Sequence, residues 1–236
     1  MSETTPHGEK DQEAGTATQP TPSWHLIRAL VGVAAVCGVL ISTVFQCTLP
    51  TIEANRAEAL REAVFAVIPG ARRVVTFQDT TSGGLVPVEG KAPAGERLYG
   101  GYDAQGQLMG VAIEAQGKGY QDVIKLLYGY RPDEEKIVGF KILDSKETPG
   151  LGDKIGKDAA FLANFAALDV GLNPEGTTPR NALEVVKQGT RSKGWHIDAI
   201  TGATISSKAV GSILNQSISQ RLPGIQKNLA TLREKP

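Results

Sequence analysis

The sequence predicts an α+β fold, a single domain outside the membrane anchored by one N-terminal transmembrane helix. Three observations predict it. One apolar run near the N-terminus is long enough to cross a bilayer, and nothing after Pro50 is. Beyond that run, strand-like and helix-like stretches interleave without the even βαβ rhythm of a doubly wound sheet. Of the 236 residues, 41% are apolar and 21% charged, the make-up of a chain that packs a core rather than one that stays disordered or forms a coiled coil.

Taken in order, residues 1–23 are rich in Thr, Pro, Gly, Glu and Gln, with no large apolar residue after Met1. Such a segment cannot offset its ordering entropy and is read as a disordered tail. Between Arg28 and Glu53 no charge occurs, and Ala29 to Phe45 is nearly continuous in Ala, Val, Leu, Gly and Ile. As a helix, about 20 such residues at roughly 1.5 Å each match a hydrocarbon core of about 30 Å. Trp24 and Arg28 stand where interfacial anchors belong, and Pro50 closes the far end, giving a transmembrane segment over 24–49. A cleaved signal peptide and a buried core helix compete with it. The first has no A-x-A site to follow, and the second would be free of polar residues on every face. Gln46 takes the place where a lipobox ahead of Cys47 needs a small residue. Lys10 and Arg28 before the span balance Arg56 and Arg61 after it, so charge leaves the orientation open.

Residues 50–95 read as a juxtamembrane helix, a strand and a Gly/Pro-rich loop. The helix covers Ile52 to Ile68, with Leu60, Val64 and Val67 at helical spacing, and Pro69-Gly70 ends it. Arg73 to Phe77 is the strand. The last segment, 96–236, is a folded domain with a C-terminal helix. Its strands are predicted over Arg97 to Tyr102, Leu108 to Ala115, Asp122 to Tyr130, Lys136 to Leu143, Leu183 to Lys187 and Trp195 to Ile200. Arg131-Pro132-Asp133-Glu134-Glu135 marks a hairpin between two of them. Helices are predicted over Asp158 to Leu168 and over Ser206 to Leu222, where Val210, Ile213, Leu214 and Ile218 form a stripe.

Composition excludes several functions. Lys plus Arg total 25 and Asp plus Glu total 25, which leaves no net charge to attract a polyanion, so no nucleic-acid partner is expected. Cys37 and Cys47 both lie in the apolar run, so the remainder has no thiol for a disulfide, a zinc site, an iron–sulfur cluster or an attached haem. His7, His25 and His196 are too few and scattered for a metal site. Whatever chemistry happens here falls to light atoms or to a bound organic group.

The most informative stretch is Asp198-Ala199-Ile200-Thr201-Gly202-Ala203-Thr204, followed by Ile205-Ser206-Ser207. A strand runs into a small-residue turn and a helix begins at once. Unpaired N–H groups and the positive end of the helix dipole suit a phosphate there. Gly202 and Ala203 let a bulky group approach the backbone, and Thr204 offers a hydroxyl at the mouth. On the residues alone, a hydroxyl N-cap with a turn glycine accounts for the same letters.

The run resembles the Asp-x-x-(Ser/Thr)-Gly-Ala-Thr motif of domains that carry FMN covalently. Glu147-Thr148-Pro149-Gly150-Leu151-Gly152 is similar to a segment lying near the flavin ring in those proteins, and Gly117-Lys118-Gly119-Tyr120 to a glycine-rich approach upstream. An ordinary Pro-Gly turn is the plainer reading of the former. Gly156 falls one residue late for a dinucleotide fingerprint starting at Gly150. With one N-terminal span, the whole resembles the G subunit of the Rnf ion-translocating electron transport complex. Its relative is the C subunit of the sodium-translocating NADH:quinone reductase, the alternative assignment. The long acidic tail and the insertion near Ser82 to Gly95 depart from the pattern and touch no motif.

The resemblance implies an FMN-binding domain with a mixed or antiparallel sheet and flanking helices. It implies FMN as cofactor, joined by a phosphoester to Thr204 by a flavin transferase that draws on FAD. Asp198, Thr201, Gly202 and Ala203 would complete the motif. Ser206, Ser207, Glu147, Thr148, Gly150, Leu151, Gly119 and Tyr120 would be cofactor-binding. No residue is expected to be catalytic and none to hold a metal. The implied protein is an electron carrier that works with the other subunits of a membrane complex and with membrane lipid, its domain periplasmic and its tail cytoplasmic. Lys118 or Lys208 would stabilise reduced flavin. A membrane-anchored FMN sensor and a flavin-free extracytoplasmic interaction domain are the rival readings.

Overall fold

The computed structural model describes residues 23–79, 84–88 and 97–234. The tail expected over 1–23 lies outside them except for Ser23, as does most of the loop from Ser82 to Gly95. The chain forms two units, 1–54 and 55–236.

In the first unit the described residues form the start of α1 (Ser23–Val67). Its apolar side chains are exposed, Leu30 to 75% and Ile41 to 71%. Among the described residues α1 is the one helix long and apolar enough to cross a membrane. Pro50 does not close it. The helix runs through Pro50, and the expected juxtamembrane helix is its continuation. A proline forfeits one backbone bond and crowds the preceding turn without necessarily breaking the helix.

The second unit is built on a seven-stranded antiparallel sheet. In chain order its strands are β1 (Arg73–Asp79), β2 (Leu85–Pro87), β3 (Arg97–Tyr102), β4 (Leu108–Lys118), β5 (Val123–Arg131), β6 (Lys136–Asp144) and β7 (Leu168–Asp169). Their spatial order is β2-β1-β3-β4-β5-β6-β7. β1 pairs directly with β3, so the segments on either side of the expected division at 95/96 share one sheet. The predicted hairpin forms, with Arg131 opposite Lys136.

Alternation along the central strands sends side chains to two cores. Val111 and Ile113 of β4, with Ile124, Leu126, Tyr128 and Tyr130 of β5, join one core together with Val210, Ile213, Leu214 and Ile218 of α3 (Thr204–Lys227). Ala112 and Leu127 face the other way, onto Ala63, Val64 and Val67 at the end of α1 and Ile68 just beyond it. The sheet is thus covered by a helix on each face. Tyr128 exchanges a hydrogen bond with Ser217 of α3 at 2.8 Å, which satisfies a hydroxyl buried at the sheet–helix interface.

Two elements differ from expectation. The helix predicted over Asp158 to Leu168 is α2 (Ala159–Ala163), capped by Asp158 through a bond from the Phe161 N–H at 2.9 Å. It tightens into a 3-10 turn over Asn164–Ala166, and Leu168 already belongs to β7. Asn164 draws the chain out of the α-helix because its side chain bonds elsewhere, to Phe161 O and to Asp198. The strand predicted over Trp195 to Ile200 is β9 (His196–Asp198), which pairs in parallel with β8 (Glu184–Val186). The short α4 (Leu229–Arg233) closes the described chain, its Leu232 carbonyl accepting from the Tyr102 hydroxyl at 2.7 Å.

Candidate functional site

The motif of Asp198 to Thr204 links β9 to α3, and each residue has a distinct local task. Asp198 Oδ1 accepts from the N–H groups of Thr190 (3.2 Å) and Arg191 (3.0 Å), which fastens the loop between β8 and β9. Thr201 donates from its hydroxyl to Gln188 at 2.6 Å. Gly202 has φ +85°, in the left-handed region that favours glycine, so the turn depends on it. Ala203 is the N-cap residue and supplies no side-chain cap. Its carbonyl accepts from the N–H of Ser207 at 2.9 Å. α3 therefore starts at Thr204, two residues before the expected start, and neither Thr201 nor Thr204 caps it.

This arrangement leaves the first turn of a 24-residue helix open. The N–H groups of Thr204, Ile205 and Ser206 have no carbonyl one turn earlier within the helix, and they mark the positive end of its dipole. Thr204 is exposed at that spot. A groove of about 370 Å³ runs beside it, lined by Tyr120, Thr148, Leu151, Gly202, Thr204 and Ile205 together with Glu147, Gly152, Ala203 and Ser206. Tyr120, Leu151 and Ile205 expose 63%, 51% and 60% of their surface. Three large apolar side chains held out in solvent around one groove offer a platform for a flat organic ring. A second hollow, about 360 Å³, shares Thr204 and Gly202 and is walled by Lys187, Gln188, Thr201 and Lys208.

Most of the predicted residues come together here. Tyr120, Glu147, Thr148, Leu151, Gly202, Ala203, Thr204 and Ser206 line the groove. Gly119 and Gly152 pack against the Glu147 carboxylate, and Gly150 makes the turn between Thr148 and Leu151 at φ +78°. Ser207 stands behind the site, fully buried, donating to Ala203 O at 2.9 Å and accepting from the Ile200 N–H at 3.1 Å. The Ser206 hydroxyl is also buried and donates to Glu147. Both hydroxyl protons are thus already used inside the fold. Lys208 lines the second hollow, not the groove with the apolar rim, and Lys118 is exposed at the end of β4. Ile205 is not among the residues predicted from sequence. Its one signal is an aliphatic side chain in a helix's first turn, just outside the buried stripe of α3.

Among the described residues no cluster of His, Cys, Asp or Glu could hold a metal ion.

Residues 119–219 match the FMN-binding domain family. The chain is 30% identical over 193 residues to the G subunit of an ion-translocating oxidoreductase complex of Methanosarcina acetivorans, covering 82% of this chain and 91% of that protein. The chain belongs to this G-subunit family. It is also 29% identical to the G subunit of a proton-translocating ferredoxin:NAD(+) oxidoreductase complex of Clostridium ljungdahlii, over 78% of this chain and 84% of that one. Among solved structures its fold is similar to NqrC of Shewanella oneidensis, with a TM-score of 0.56 at 19% identity over 75% of this chain and 97% of that one. The C subunit of the Na(+)-translocating NADH-quinone reductase of Parabacteroides distasonis gives 0.51 at 23% identity, over 66% and 78%. The α+β fold is common to this chain and both of these structures.

Proposed function

We propose that this chain carries FMN joined covalently to Thr204 and transfers electrons within a membrane-bound ion-translocating oxidoreductase complex of the Rnf type. The observation that carries it is the state of Thr204: an exposed residue at the first position of α3, not used as a cap, between unpaired backbone N–H groups and an apolar groove.

The donor set fits FMN. A phosphate on Thr204 would be held by the N–H groups of the first turn and by the positive end of α3. Gly202 and Ala203 keep the approach open, since a Cβ added at Gly202 would meet nothing within 4 Å. Tyr120, Leu151 and Ile205 supply apolar surface for the ring. Bound FMN supplies reversible electron uptake, and the chain binds it, orients it and leaves the groove accessible to partners. Attachment by a flavin transferase makes one bond and breaks another. The Thr204 oxygen takes the phosphorus of FMN from FAD, the adenylate half leaves, and the hydroxyl proton is released.

The partners in this reading are the other subunits of the complex, with the apolar part of α1, residues 24–49, in the lipid of the inner membrane and the globular unit on the periplasmic side. A covalent link suits a compartment without free flavin, because the cofactor cannot be lost by dissociation. The sequence relatives favour the Rnf-type G subunit over the sodium-pump C subunit, to which the likeness is one of fold. The test is the intact mass of the chain after purification from its own host and full denaturation. One added FMN, on the peptide holding Thr204, is expected; a bare polypeptide mass overturns the reading.

A further inference from the structure

Among the described residues, Glu147 is the one charged side chain lining the groove beside Thr204. Only 4% of it is exposed. A carboxylate so buried normally requires a cation or a full set of hydrogen bonds. Here the bonds come from two segments distant in sequence. Oε1 accepts from the backbone N–H of Gln121 at 3.0 Å, and Oε2 accepts from the Ser206 hydroxyl at 2.5 Å. The positive end of α3 adds a favourable field, since Ser206 is its third residue. Two glycines make room for the carboxylate. A Cβ at Gly152 would stand 2.5 Å from Oε2, and one at Gly119 would overlap Oε1.

We propose that Glu147 is the positioning residue of the Thr204 site. Through Ser206 it fixes the first turn of α3, whose N–H groups and Thr204 hydroxyl form one wall of the groove. Through Gln121 it fixes the loop that carries Tyr120. It accepts these two bonds and is only 4% exposed, so it acts on a bound flavin through the parts it holds. This rests on the reading that Thr204 carries FMN, and it differs from the expectation that Glu147 and Ser206 touch the cofactor directly. Gly119 and Gly152 leave room for the carboxylate, Gly119 also for Ile124 and the Asp122 carbonyl and Gly152 also for the Ser206 hydroxyl.

The experiment uses the full chain in detergent, produced with and without a flavin transferase. In the flavin-free protein, Glu147→Ala is expected to raise amide hydrogen exchange about tenfold at Ser207, the first amide of α3 with a backbone acceptor, and at Gly119 and Gln121, while the central strands stay protected. With transferase and FAD, the same variant is expected to incorporate FMN about tenfold more slowly at low protein concentration and to catch up at high concentration. Glu147→Gln, which keeps an acceptor for Gln121 and a polar atom facing Ser206, is expected to restore both readouts to within about threefold. Ser206→Ala raises exchange at Ser207 alone, and the pair Glu147→Ala with Ser206→Ala is no worse there than Glu147→Ala. Unchanged exchange at Ser207 in flavin-free Glu147→Ala overturns the proposal, as does a Glu147→Gln that behaves like Ala. A wild-type chain that takes no flavin overturns the Thr204 reading instead, and the exchange result still decides the role of Glu147.

Discussion

Asn164 and Asp198 hold each other by two reciprocal hydrogen bonds. The Asn164 amide donates to the Asp198 carbonyl at 3.2 Å, and its Oδ1 accepts from the Asp198 N–H at 3.0 Å. Asn164 is 3% exposed, and the pair occupies the edge of β9 turned away from β8, in a strand three residues long that leads into the Thr204 turn. On that edge a side chain does for β9 what a second neighbouring strand would do.

Replacing that side chain should be costly. In Asn164→Ala the Asp198 carbonyl loses its donor and the Asp198 N–H its acceptor in a part-buried setting, while the Phe161 carbonyl keeps the Asn164 backbone N–H. About 2–4 kcal/mol of lost stability is expected from the unsatisfied groups. Urea unfolding of the full chain, with Trp195 fluorescence as reporter, measures it. A change under about 1 kcal/mol would show that water takes over these bonds.

Gly129 and Gly139 face each other across β5 and β6. A Cβ at either would overlap the carbonyl of Val67, the last residue of α1. The helix end therefore rests on bare backbone, and neither partner can yield as a flexible side chain would. Gly129→Ala is expected to cost about 3 kcal/mol and to expose Ala63, Val64 and Leu127. Faster hydrogen exchange confined to 60–70 and the two strands would confirm that the strain falls there. Uniform destabilisation would refute that localisation.

These relationships explain what the sequence discloses and what it hides. The hairpin is legible because alternation and the turn residues Arg131 to Glu135 are local signals. The Thr204 turn is legible for the same reason, since seven consecutive residues carry it. Ser206, Ser207, Glu147 and Gly119 can be named from sequence as neighbours of one site, but their partners are hidden. Glu147 meets Ser206 across 59 positions, and Asn164 meets Asp198 across 34. No periodicity encodes such pairings. Pro50 misleads because its helix-breaking tendency is local, whereas an element's continuation depends on everything around it. Ile205 escapes notice because an exposed aliphatic residue carries no pattern of its own.

Asp122 and Lys146 form an ion pair at 2.9 Å across the two loops that Glu147 joins from within. The hydrogen bond from Lys146, with the Val123 N–H and the lysine's charge, holds the Asp122 carboxyl below its ordinary value. The same bond and the charge of Asp122 raise Lys146. The signs follow from linkage. The contribution of Asp122 is present above its unfolded pKa and is lost as pH falls through the depressed folded value. That of Lys146 is present below its unfolded pKa and is lost as pH rises through the raised folded value. The pair thus steadies the loops from mildly acidic to mildly alkaline pH. Asp122→Asn should flatten the acid side of the Tm profile and reduce its salt dependence, by a small amount because both groups are exposed. An acid limb identical to that of the wild type would show that the pair contributes nothing measurable.

Thr204→Val is the sharpest probe of the site. The substitution keeps the volume and β-branching of the side chain and removes only the hydroxyl. That hydroxyl caps no helix in this fold and the residue is exposed, so stability should change by less than about 0.5 kcal/mol. Covalent flavin should vanish completely, because the ester oxygen is gone. Thr204→Ser should keep it, since the oxygen remains at the same first position of α3. Fluorescence of the denatured band after coexpression with a flavin transferase separates the three proteins. A fluorescent valine variant would move the attachment to another hydroxyl, and Thr201, just across Gly202, would be the first to examine.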